Sequence, residues 1–278
     1  MGPSSSVREV VRSAGSPVIL VVVVVLVMLL AGGVFGVAGD GQQPLNTHAD
    51  GPDSAGDRLP DAWEQDGETP DGVVLPASDP DRMSLHVRIV YGERMEPLSD
   101  EERNDLERIW ADLPVENPDG TTGIDLHVED GGELDERVRL TDPEDRYDVA
   151  ETYYSPEQMG DAHCVYHLVV LGEVDVNGHA GYANAPGRFS VVDGRYTDNH
   201  GGTVSYRVRT ITHELLHNVV GTVPEEARGD DDLHTETGWL AHGIDDYADH
   251  EHLPEPVADD LSQHGFEPAA GADGEQCG

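Results

Sequence analysis

Residues 212–221 read THELLHNVVG. His213 and His217 are four apart, a spacing that puts two side chains on one face of a helix, one turn from each other. Two imidazoles so placed can present ring nitrogens to a single metal ion. Glu214 lies one residue on, about 100° round the helix, where it can reach a water held on that ion. Donors and base in this pattern point to a zinc-dependent hydrolase. Zn2+ lowers the pKa of the water, and Glu214 carries its proton to the leaving amine. A zinc of this kind takes three protein ligands, and this stretch supplies two.

The pair must sit on a stable helix. TVSYRVRTITHELLHNVVG supplies one, with Leu215, Leu216, Val219 and Val220 burying it and Gly221 and Pro224 ending it. Upstream, SLHVRIVYG (84–92) alternates as a strand does, with Leu85, Val87, Ile89 and Tyr91 on one side. In PLSDEERNDLERIWADLP, Ser99 and Glu102 form a capping box, and Leu106, Ile109, Trp110 and Leu113 make an apolar helical stripe. IDLHVED (124–130) predicts a second strand, and a short helix is expected after Pro143. CVYHLVVLGEV (164–174) is apolar almost throughout, as a central strand buried on both faces is. GHAGYANAPGRFSVVD (178–193) predicts an extended stretch, a Pro-Gly turn and a short strand; VADDLSQHGF (257–266) predicts a last helix. The fold class expected is α+β, a mixed α/β domain with one mixed sheet packed on the active-site helix and a loop-rich C-terminal part.

The 278 residues carry a formal net charge of −40, with 56 acidic residues against 16 basic ones, and every basic residue is arginine. Such a surface repels nucleic acid, so no nucleic-acid partner is expected. The lysine-free, acidic composition resembles that of proteins from extreme halophiles, whose carboxylates stay hydrated while molar salt screens their repulsion.

The helix resembles that of the metzincin clan of zinc metallopeptidases, whose signature is HExxHxxGxxH. Here the glycine comes one residue late, at Gly221, and Val223 stands where the third histidine is expected. The next histidine is His234, 17 residues after His217 and beyond an acidic loop. His234 is the expected third ligand; His242, Glu236 and Asp245 are the alternatives. GYANAPG (181–187) is similar to the edge strand and bulge that bind substrate backbone in matrixin-type members, and an exposed edge can take an extended peptide by strand addition. An ordinary edge hairpin accounts for the same residues equally well. The methionine turn of the clan is missing, since no methionine follows Met159; GWLAHG (238–243) stands in its place, with Trp239 or Leu240 as the apolar floor. By the same resemblance Tyr247 could serve the oxyanion, although a packing tyrosine is the plainer reading.

Residues 17–39 contain no charge, enough to span a bilayer; Arg8 and Arg12 before them place the N-terminus inside and the remainder outside. A cleaved signal peptide is the rival, and either exports the rest. Residues 1–39 are therefore an anchor or signal segment, 40–83 a Gly/Asp/Pro-rich linker, 84–266 the zinc metallopeptidase-like domain, and 267–278 a tail. Outside the cell Cys164 and Cys277 can pair. DGRYTDNHGG (193–202) offers Asp193, Asp198 and Asn199 to Ca2+, with a solvated loop as the plainer reading. Together these features predict an exported, membrane-anchored peptidase acting on a peptide or protein substrate. The alternative is a cell-surface binding module with a structural or relic zinc site.

Overall fold

A computed structural model describes residues 51–242 and 247–269. Along the chain run α1 (Asp61–Asp66), β1 (Ser84–Tyr91), α2 (Asp100–Ala111), β2 (Asp125–Glu133), β3 (Arg139–Leu140), α3 (Asp145–Tyr153), α4 (Pro156–Met159), β4 (His167–Val174), β5 (Gly181–Ala183), β6 (Phe189–Asp193), α5 (Tyr206–Val220) and α6 (Glu255–His264). One sheet has the order β2-β1-β4-β6-β5, with β3 also paired to β4. Every pairing is parallel except that of the edge strand β5, which runs antiparallel to β6. The fold is thus mixed α/β with one mixed sheet.

Burial explains why β4 lacks a polar face. Val169 and Leu171 pack with Ile89, Val192 and residues of α2, α5 and α6, while Leu168 and Val170 pack with Val90, Phe189 and Val191 on the other side. All eight residues of β4 are buried, as in a central strand covered on both faces. The capping box starts α2 as its sequence predicts: the Glu102 N–H donates to Ser99 Oγ at 3.2 Å, and the Ser99 N–H to the Glu102 carboxylate at 3.0 Å. Such a cap stabilises a helix by about 1 kcal/mol. The second oxygen of Glu102 receives Arg207 Nε at 2.6 Å, so the start of α2 is tied to the first turn of α5.

Residues 51–83, expected as part of the linker over 40–83, are packed against the domain. Ala55, Leu59, Leu75 and Met83 are buried. Arg58 reaches across to donate to the carbonyls of Gly187 (3.0 Å), Asn218 (2.9 Å) and Glu267. Leu59 and Leu75 pack with Ala162, Val165 and Tyr166, but the apolar residues of the segment are irregularly spaced, so it carries no apolar period for a sequence reading to detect. The apolar segment 17–39, expected as an anchor, lies outside the described residues. Among the described residues no helix is long and apolar enough to cross a membrane. Cys164 is disulfide-bonded; Cys277, its expected partner, lies outside the described residues.

Candidate active site

Ser205 opens α5, its side chain accepting the Val208 N–H at 3.3 Å, and Gly221 ends it with φ 61°. Within the helix, Ile211, Leu215, Leu216 and Val219 are fully buried, which turns His213 and His217 toward a cleft. The cleft has a volume of about 480 Å3. β5 lines one wall with Gly181, Tyr182 and Ala183; His234 and Tyr247 close it from the C-terminal loops.

His213, His217 and His234 converge, with one ligand atom of each within 4.8 Å of the others. The Nε2 atoms of His213 and His217 are 3.1 Å apart. Two nitrogens on one tetrahedral zinc, each at about 2.0–2.1 Å, stand about 3.3 Å from each other, so the spacing suits a shared ion. Nδ1 of His213 is 2.8 Å from the Trp239 carbonyl, and Nδ1 of His234 is 2.9 Å from an Asp231 oxygen. Each contact needs the proton on Nδ1 and leaves the Nε2 lone pair free to ligate. Nδ1 of His217 is buried without a partner. Burial lowers all three imidazole pKa values: His213 to about 4 against the Trp239 hydrogen bond, His217 well below its usual value, and His234 against the pull of Asp231. Neutral imidazole is the ligating form. The donor set, its spacing and its outer partners fit zinc.

Glu214 is 5% exposed and lines the same cleft, and burial pushes its carboxyl up to about 8. It lies against Gly181 of β5. Val223, which occupies the place of the third histidine in the short signature, is buried in the core instead. The loop beyond it folds back: Gly229 donates to the His234 carbonyl at 2.8 Å, and Arg228 bridges to Thr235. His242 is exposed, with its ring 4.2 Å from that of His234, and it shares a second possible ligand group with Asp231 and His234. Glu236 belongs to neither group, and Asp245 lies outside the described residues. Asp193 is 1% exposed and ion-paired with Arg195, and Asp198 pairs with His200, so the two carboxylates are engaged separately.

Four residues of the site escaped the sequence reading. Tyr206 and Arg209 also line the cleft, and they precede His213 by seven and four residues, a helical spacing that puts them on its face. Arg209 stacks on Trp239 and Tyr247, 5.3 Å and 5.0 Å from the ring centres. Asn218 joins α5 to the sheet: its amide donates to the carbonyls of Asn184 (2.8 Å) and Phe189 (3.2 Å), and its oxygen accepts from Ser190 at 3.2 Å. Asp231 orients His234, and no local pattern announces either contact.

No family model matches this sequence, and no curated protein matches it. Among solved structures, a chain from a structure described as "Structure of a chaperone-substrate complex" is similar at 13% identity and a TM-score of 0.37, over 70% of this chain and 40% of that one. A likeness at that level carries no argument about fold or function.

Proposed function

We propose that this chain is a zinc-dependent metallopeptidase of metzincin-like fold, exported and held at the membrane by its apolar N-terminal segment. The observation that carries the reading is the convergence of His213, His217 and His234 in one cleft, with Glu214 beside them and an edge strand along the wall. His213, His217 and His234 would hold the zinc. A bound zinc ion supplies Lewis acidity to a carbonyl and to a water. With the ion in place, Glu214 would accept a proton from a water on its carboxylate and return it to the amine that leaves. β5 is antiparallel to its neighbour and lies at the edge of the sheet, so its outer backbone groups can pair with an extended peptide. That pairing lays a peptide along the cleft with a carbonyl near the histidines. Tyr247 lines the same cleft and would donate to the oxyanion.

The experiment is zinc content and turnover of an unfolded protein substrate in molar salt, for the parent, Glu214→Gln and His234→Ala. One zinc per chain in the parent, loss of zinc in His234→Ala, and retained zinc with turnover reduced by about 10²–10⁴-fold in Glu214→Gln support the reading. Full zinc in His234→Ala moves the third ligand to His242. Zinc without turnover in the parent favours a surface module with a structural metal.

A further inference from the structure

Residues 53–64, DSAGDRLPDAWE, lie far along the chain from the histidine cleft. Asp53, Asp57, Asp61 and Glu64 stand at the first, fifth, ninth and twelfth places of this stretch. Those are side-chain ligand places of a 12-residue calcium loop of the EF-hand type, where the seventh gives a carbonyl and the sixth makes a sharp turn. The sixth residue here is Arg58, with φ 72°, and the seventh is Leu59. The third place is Ala55, which offers no side-chain oxygen.

The chain wraps around Asp53 as such a loop does: its carboxylate accepts the N–H groups of Gly56 (2.6 Å), Asp57 (3.2 Å) and Arg58 (2.9 Å). Asp57 accepts the Leu59 N–H on one oxygen at 3.0 Å and the Ser84 N–H on the other at 2.6 Å. Asp61 holds Ser54 through its N–H and hydroxyl, at 2.7 Å and 2.8 Å. An acidic turn of this kind, taken alone, is ordinary.

Glu64 is not ordinary. It is 4% exposed, and both of its carboxylate oxygens are buried with no hydrogen-bond partner. Among the described residues no ion pair reaches it. Burial first, then the charges of Asp57, Asp53 and Asp61, push its carboxyl up to about 9. A buried carboxylate with neither donor nor cation is costly, and a divalent ion at the loop centre removes that cost by taking both oxygens.

We propose that residues 53–64 form a calcium site, with side-chain oxygens from Asp53 and Asp57, the carbonyl of Leu59, both oxygens of Glu64, and Asp61 directly or through water. The site has a structural task. Arg58 reaches from the loop to the carbonyls of Asn218 near the end of α5, of Gly187 in the turn between β5 and β6, and of Glu267 after α6. Phe266 donates to the Gly56 carbonyl at 2.6 Å. A Cβ on Gly265 would stand 2.3 Å from that same carbonyl oxygen, so the loop and the end of α6 are in backbone contact. Calcium therefore fastens the N-terminal segment across the far end of the active-site helix.

The test uses the full chain in detergent and molar salt, stripped of divalent ions on a chelating resin and reloaded with one equivalent of zinc. Ca2+ is titrated by calorimetry, and thermal unfolding is followed by circular dichroism. One Ca2+ per chain is expected, with a Kd on the order of 10⁻⁵–10⁻³ M. At about 100 times Kd the Tm should rise by roughly 5–10 °C. Glu64→Gln and Glu64→Asp should each weaken Ca2+ at least tenfold and lose most of that rise, and the aspartate variant separates reach from charge. No saturable calcium response in the parent overturns the proposal, whether or not the variants fold. So does a Glu64→Gln chain with the parent's calcium affinity, which would make Glu64 a neutral buried acid. Zinc content and turnover do not enter these readouts, so the calcium site stands or falls apart from the peptidase reading.

Discussion

A Cβ on Gly181 would stand 2.6 Å from Oε1 of Glu214 and 2.9 Å from its Cγ. The edge strand β5 and the helix α5 therefore meet where the proposed base sits, and only a residue without a side chain leaves the carboxylate its place.

Gly181→Ala should push the Glu214 carboxylate aside by a few tenths of an ångström or more. Turnover of a protein substrate should fall by up to about 10²-fold, since a misplacement near 1 Å costs that much. Zinc content should stay at the parent level because the histidines are untouched. Kinetics beside metal analysis checks this, and an alanine chain with parental turnover would separate Gly181 from the placement of the base.

Asp231→Asn should weaken zinc binding by about 10–100-fold, because the carboxylate that orients His234 is replaced by an amide. Glu236→Gln should leave affinity unchanged, since Glu236 belongs to neither possible ligand group. Competition against a chromogenic chelator compares the two. Equal losses in both would mean that general surface charge, not the hydrogen bond, sets the affinity.

Asn218→Ala removes the amide that ties α5 to the carbonyls of Asn184 and Phe189. The Phe189 carbonyl keeps the Asn184 N–H, so losing these hydrogen bonds should cost about 1–3 kcal/mol in denaturant unfolding. Amide hydrogens of β5 should exchange faster than those of β4. Uniform acceleration across the sheet would count against a local latch.

The Glu102–Arg207 pair should govern part of the acid limb. Burial alone would push the Glu102 carboxyl up, but hydrogen bonds from Arg207, the Ser99 backbone and Ser205 outweigh it and hold it at about 2, below its usual 4.5. A carboxyl depressed on folding stabilises the protein above its unfolded pKa. That contribution fades as pH falls from about 4.5 to about 2. Glu102→Gln should therefore be less stable than the parent at pH 7, by about 3–5 kcal/mol for a broken buried pair, and the gap should narrow across that window. Urea melts of both chains at several pH values give the comparison. A constant gap would show that the charge contributes nothing.

Much of the local structure was legible because it has a period or a cap. Ser99 with Glu102 starts α2, the alternation of Leu85, Val87, Ile89 and Tyr91 marks β1, and the unbroken apolar run of β4 marks a strand buried on both faces. Residues 53–64 carry no such apolar period or helix cap. Their order comes from carboxylates accepting backbone N–H groups and from one arginine crossing to three distant carbonyls, none of which repeats along the chain.

The sequence by itself determined that His213 and His217 share a helix face, because a spacing of four is set by the pitch of the helix whatever surrounds it. It determined equally that Glu214 sits beside them, and that β4 is central. Only the tertiary structure decided that His234 joins them while Val223 turns into the core, that β5 is the edge along the cleft, and that Gly181 makes room for Glu214. These are contacts between segments tens of residues apart. Loop closure and side-chain packing choose among them, and neither leaves a periodic mark in the order of the residues.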